Sequence, residues 1–444
     1  MSYFNFFLCV NDNLTTYLVI LLSTLTFYYL IFRRTIVSVL DPLFFALVSS
    51  SLGSTVVLFL YRVGKIESVY YYDYLLTQSA LYLGFFLFLR TKPRDLRLIA
   101  KTQERSVTHD GLMSLLFYST TMVTIIAQLI IFMTVGIPLF LASRLEIYVV
   151  GGGFGVINRI MQISNPVSLY CAFYFLLTRI SGRKREKLLS RIYLLILIIF
   201  GVLSGARSFF LPMIYGFYYF LFLNRDACKN SAVLFYANHS KELIMTAIIL
   251  MALVIGIKEH FSILGIAETA VERVASYGDV YFLAYPNRVI ENVHGVGILN
   301  FLFGDLLRTL RLVPAQFVQQ PIGFEIYNLA NNTIDVLNGP NPRHNIIGYI
   351  NWGFTGSIIF SFCCGILLSL GRNLFYTSTN RSHKAKILIM LFYSYVVSIE
   401  TDPPFCISSI NSILLLGVAL LIFEYILEYR NKTTHISTTR PAVE

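Results

Sequence analysis

Apolar residues in this chain come in blocks close to the ~20 residues that cross a bilayer as helix, with short polar breaks between them. Taken in order, the blocks cover residues 14–32, 42–61, 74–89, 113–135, 167–177, 192–203, 209–223, 241–258, 353–370, 387–398 and 407–426. The pattern predicts an all-α, polytopic membrane helical bundle of about eleven transmembrane helices, forming one integral membrane domain over 1–444. Two longer polar stretches interrupt it, a first outer segment at 136–164 and a large outer loop at 259–352. The loop carries short amphipathic patterns that predict short helices. Residues 429–444 read as a disordered inner tail.

Composition sharpens this picture. The chain is 56% hydrophobic and 13% charged, where soluble domains carry about a quarter charged residues. The net charge of +11 raises nucleic acid as a partner, but the placement of the cations points elsewhere. Of the 35 Lys and Arg, 24 fall in segments on one side of the spans and 11 on the other. That is the positive-inside pattern; it predicts an N-terminus outside, a C-terminus inside, and no nucleic-acid partner. The first apolar block lacks a basic lead and a small-residue cleavage site, so it reads as a retained span. The six cysteines have no Cys-x-x-Cys spacing and predict neither a disulfide framework nor a thiolate metal site. No internal repeat is evident.

The outward cations then need a reason. They are Arg62, Lys65, Arg144, Arg159, Arg207, Lys258, Arg273, Arg288, Arg308, Arg311 and Arg343. Arg offers a rigid fork of donors suited to phosphate and carboxylate. The alternative is pairing with outer acids such as Glu146, Asp279, Glu291, Asp305, Glu325 and Glu400. Arg207 lies between two apolar blocks, where a cation is costly and functional by default, unless it snorkels to the interface. Arg308 and Arg311, spaced i and i+3, share a face of an amphipathic helix that suits either lipid headgroups or substrate. Tyr281 and Tyr285 can wall a sugar site or belong to an interfacial aromatic belt.

The densest chemistry lies in Asn341-Pro-Arg-His-Asn-Ile-Ile-Gly348, which runs through the only Trp, Trp352, into an apolar helix. His344 is a candidate general base for a hydroxyl group, beside Arg343 and Asn345; a loop histidine that merely hydrogen-bonds is the simpler alternative. A His-Glu-x-x-His zinc motif and a Gly-rich phosphate loop are absent from the sequence. No metal and no cofactor is expected.

Three stretches carry a family resemblance: Gly136-Ile-Pro-Leu-Phe140 with Arg144 and the glycines after it, Ser204-Gly-Ala-Arg-Ser208, and Pro340-Asn-Pro-Arg-His-Asn345 followed by Gly353 and Gly356. Together with the layout of spans they resemble the Wzy-type O-antigen or capsule polymerases and, more distantly, the O-antigen ligases. Two spacings depart from the family pattern: Asn345 to Gly353 is shorter than in the ligases, and Arg207 to Gly216 is slightly closer than in the polymerases.

The resemblance implies a GT-C-like fold in the bacterial inner membrane, with its active site toward the periplasm. It implies inverting, metal-independent glycosyl transfer between an undecaprenyl-pyrophosphate-linked oligosaccharide donor and acceptor. A chain-length regulator and a flippase are the implied partners, besides membrane lipids. His344 and Arg207 would be catalytic. Arg144, Arg159, Arg288, Arg308, Arg311, Arg343, Asn345, Tyr281 and Tyr285 would bind substrate or pyrophosphate. Ligation of glycan to lipid A core, or transport of lipid-linked sugar, are the competing readings.

Overall fold

A computed structural model describes residues 1–90, 111–140, 154–178, 183–204, 210–225, 227, 228, 231, 234, 235, 238–258, 274, 276–314, 321–334, 336 and 338–418. The described chain is all-helical, apart from one isolated antiparallel bridge between Thr178 and Cys228. In order the helices are α1 (Tyr3–Asp12), α2 (Leu14–Phe32), α3 (Pro42–Arg62), α4 (Ser68–Phe88), α5 (Gly111–Thr134), α6 (Phe154–Leu177), α7 (Lys184–Leu203), α8 (Phe210–Leu223) and α9 (Ser240–Lys258). They continue as α10 (Asp279–Ala284), α11 (Ile298–Thr309), α12 (Ile322–Asn331), α13 (His344–Thr377), α14 (His383–Val396) and α15 (Pro403–Val418). A helix occupies the described part of each of the eleven apolar blocks. Five of them (α2, α3, α5, α6 and α13) are long and apolar enough to cross a membrane.

Local chemistry sets several boundaries. The Asp41 carboxylate caps α3 by accepting from Leu43 N at 3.1 Å, and Pro42 sits at N1 where its missing N–H costs nothing. Ser382 caps α14 through Ala385 N. Helix α6 begins at Phe154, so the residues from 154 to 164, read from sequence as outer segment, are helix. Asn158, Arg159 and Gln162 make that stretch look like loop, but Arg159 and Ser164 find partners on neighbouring helices, while Gln162 Oε1 has none among the described residues. Arg159 pairs with Asp305 and donates to Ser412 Oγ at 2.9 Å, while Ser164 accepts from Thr124 at 2.9 Å.

Helices α4 and α13 form a close pair. An ideal Cβ on Gly365 would stand 1.9 Å from Leu81 O, and one on Gly84 only 2.3 Å from Phe362 O. Only glycine lets the two backbones approach this far, the small-residue device of membrane helix packing. Two apolar cores flank the pair. One gathers the start of α3 with α5, α6, α8, α14 and the end of α13; the other gathers α1, α4, α10 and the end of α3 around Ile346 and Ile347.

A buried ion pair closes the first core. Arg372, on the last third of α13, donates to Asp41 Oδ1 at 3.2 Å and Oδ2 at 2.9 Å, to the Tyr393 hydroxyl at 2.8 Å and to Thr35 O. Its guanidinium also lies over the Tyr376 ring. Both partners are 0% exposed. Counted from sequence as an inner-face topology cation, Arg372 instead fastens the α2–α3 turn to α13 and α14.

Helix α13 is broken at Gly353 (φ 69°, ψ −171°), a backbone region only glycine occupies readily. The first piece, from His344, carries the polar motif. The second enters the apolar pairing with α4.

Candidate functional site

The motif Arg343-His344-Asn345 stands at the start of α13, where the preceding prolines end the loop and Arg343 takes the N-cap position with extended φ/ψ. All three side chains are buried. Burial of such polar groups is tolerated only with partners, and serines and amides from two other helices supply them.

Arg343 Nη2 donates to Ser49 O at 2.9 Å, Ser49 Oγ at 2.8 Å and Tyr277 O at 2.7 Å. Its Nη1 lies 3.9 Å from Glu400 Oε1, and the guanidinium rests on the Tyr281 ring, 5.8 Å from its centroid. Gly53 makes room for it, since a Cβ there would meet Arg343 Cζ at 3.0 Å. Glu400, in the 3₁₀ turn Val397–Glu400 after α14, is pushed up to about 7 by burial, with Arg343 pulling the other way.

His344 uses both ring nitrogens. Nε2 lies 3.2 Å from Gln78 Oε1 and Nδ1 2.8 Å from Ser361 Oγ. The Gln78 amide nitrogen donates to Glu400 Oε1 at 3.1 Å, to the Tyr82 hydroxyl at 2.7 Å and to Ser50 Oγ at 3.0 Å. With Gln78 Oε1 facing the imidazole as acceptor, the arrangement suits the tautomer that carries its proton on Nε2 and accepts from Ser361 at Nδ1. Asn345 bridges two helices: its carbonyl accepts from the Tyr281 hydroxyl at 2.7 Å and its amide donates to Thr77 Oγ1 at 2.9 Å.

The site is a closed, hydrogen-bonded network. Among the described residues two polar atoms at its edge have no hydrogen-bond partner: Asp73 Oδ2, whose Oδ1 accepts from Ser357 at 2.6 Å, and the hydroxyl of Tyr285. Tyr285 stacks on Tyr281 and Tyr70, with ring centroids 5.5 and 5.3 Å away.

The structure brings together Arg343, His344, Asn345, Tyr281 and Tyr285. It sends other candidates elsewhere. Arg159 pairs with Asp305; Arg288 forks onto Glu67 at 2.7 and 3.1 Å. Arg308 is exposed in the last turn of α11, but Arg311 lies past its end at φ 56°, so the two do not share a helix face; among the described residues neither bonds to the Arg343 group. Arg144 and Arg207 lie outside the described residues. Sequence reasoning did not single out Gln78, Thr77, Asp73, Ser49, Ser357 or Ser361. Their signal was present as polar residues inside apolar blocks or, for Asp73, at the edge of one, with Asp73 and Thr77 one helical turn apart.

Comparison of the chain with protein-family models, curated proteins and solved structures finds no match.

Proposed function

We propose that this protein is an integral-membrane glycosyltransferase that joins lipid-linked oligosaccharide repeat units into a surface polysaccharide. The observation that supports the reading best is the convergence of Arg343, His344, Asn345 and Tyr281 at the broken start of α13, inside a helical bundle with membrane-length apolar helices. The first three are residues of the stretch that resembles the polymerases and ligases. On this reading the chain has eleven spans and a GT-C-like arrangement, and works in the bacterial inner membrane with its site toward the periplasm.

In the proposed reaction a hydroxyl of the incoming repeat unit attacks the anomeric carbon of the growing glycan. The new C–O bond forms as the bond to undecaprenyl pyrophosphate breaks, with inversion in a single displacement. Arg207 with Arg144 would stabilise the departing pyrophosphate charge. His344 would orient or deprotonate the hydroxyl. For it to accept a proton at Nδ1, the bond from Ser361 must first be released.

Removing the gene and resolving the surface polysaccharide on a gel tests the reading. Glycan capped with a single repeat unit, its ladder lost, is the expected result; restoring a His344→Ala protein should not bring the ladder back. Polymer accumulating on the lipid carrier would identify a ligase instead. A second reading, transport of lipid-linked sugar, draws on the ionisable residues buried within the bundle: Asp41, Asp73, Arg343, Arg372 and Lys386. Single units trapped on the inner leaflet would favour it and overturn the polymerase.

A further inference from the structure

The turn joining α3 to α4 and the strap that follows α10 enclose a cleft of about 350 Å³, within the range that holds small ligands. Its lining is Gly64, Lys65, Ile66, Glu67, Tyr285, Asn287 and Arg288. Two cations and one carboxylate give it a net charge of +1. Three of the seven lining residues sit at positive φ: Gly64 (68°), Asn287 (57°) and Arg288 (56°). For consecutive non-glycine residues that conformation is uncommon, and such strain concentrates where a side chain is held for a purpose. Here it aims Arg288.

Arg288 holds the Glu67 carboxylate through Nε at 2.7 Å and Nη2 at 3.1 Å, the side-on fork that matches two carboxylate oxygens. The pair is exposed, 59% and 50%, so it contributes little and yields readily to a competitor. Glu291, outside the lining, is already engaged by the Tyr70 hydroxyl at 2.6 Å. Tyr285, which lines the cleft, stacks on Tyr281, whose hydroxyl donates to Asn345.

We propose that this cleft binds a carboxylate-bearing sugar, whose carboxylate replaces that of Glu67 on Arg288 while Lys65 takes a hydroxyl oxygen of the sugar. The assignment rests on the glycan reading above and adds that the glycan is acidic. A net charge of +1 matches one carboxylate better than a pyrophosphate, which carries more than one negative charge.

The test is binding to the full-length purified protein, read by saturation-transfer NMR with D-glucuronate, D-glucose and inorganic pyrophosphate as separate probes. Glucuronate should give signal and glucose none. Arg288→Gln should abolish the glucuronate signal. Glu67→Gln, which removes the internal competitor, should tighten glucuronate binding by up to about fivefold. That gain is not expected from a merely structural pair, and it stands even if Arg288→Gln fails to fold. Equal signals from glucose and glucuronate, or glucuronate binding untouched by Arg288→Gln, would overturn the assignment. Binding of pyrophosphate without glucuronate would overturn it too, leaving a phosphate site. Loss of the sugar-acid site leaves the gel result intact, and a failed polymerase reading leaves the binding result intact, so the two failures are separable.

Discussion

The buried pair of Arg372 and Asp41 allows a quantitative test of how the bundle is held. In Asp41→Asn the side chain keeps an acceptor for the Leu43 N–H that caps α3, but the charge opposite Arg372 is lost. Breaking one side of a fully buried pair costs about 3–5 kcal/mol, because the remaining charge is left uncompensated. Asp41→Ala also removes the cap, a further loss of about 1 kcal/mol. An unfolding entropy of about 2.1 cal/mol/K per residue over 444 residues converts to roughly 1 °C per kcal/mol. Helix retained in the unfolded membrane state makes that entropy smaller and the shift larger. The midpoint should therefore fall by at least about 3 °C for Asp41→Asn, and further for Asp41→Ala. Cys171, Cys228, Cys364 and Cys406 are buried thiols, so a fluorogenic maleimide in detergent reads unfolding directly. The double variant Asp41→Asn/Arg372→Met should recover most of the loss, since no buried charge remains. A single variant melting within 1 °C of the parent, or a double variant no more stable than the single, would refute the reasoning.

Other outcomes follow from the same geometry. Gly365→Ala forces a Cβ into the Leu81 carbonyl and should cost about 1–3 kcal/mol or more. Gly417→Ala, with nothing within 4 Å of its Cβ, should be neutral or slightly stabilising in the same melt. Burial raises Glu400 from the ordinary carboxylate value of about 4.5 to about 7, so its contribution to stability is complete below about pH 4.5 and is lost as pH rises through about 7. Glu400→Gln should flatten the pH dependence of the melting midpoint across that window; an unchanged slope would show that Glu400 is not the group responsible.

Much of the scaffold was legible in the chain because its signals are local. The α2 and α3 boundaries follow from an apolar run ended by Arg33-Arg34 and restarted by the Asp41-Pro42 cap. The start of α6 was not legible, since Asn158, Arg159 and Gln162 lower its apolar character and their partners, such as Asp305 and Ser412, lie far along the chain. The Arg343-His344-Asn345 motif stood out by type and spacing. Its enclosure did not, because Ser49, Gln78 and Ser361 come from different helices and each reads alone as an unremarkable polar residue in a span. Arg372 carried the same ambiguity: a cation at a helix end reads as a topology marker until the aspartate opposite it is known. Tyr281 and Tyr285, read as wall or belt, are core residues, and only the fold decides between those positions.

The break at Gly353 bears on how this sequence can drift. Nothing lies within 4 Å of the absent Cβ, so the position excludes other residues by backbone handedness rather than by size. Any L-residue there would carry strain of about 1–3 kcal/mol at the joint between the polar motif and the paired helix. Flanking apolar residues can exchange among themselves with modest loss, and over time they would erase overall similarity. What persists is a spacing: Arg-His-Asn, seven residues, then a glycine that cannot be replaced. Distant relatives of this protein should be recognisable by that spacing inside an apolar helix start, even where the rest of the chain has lost all likeness.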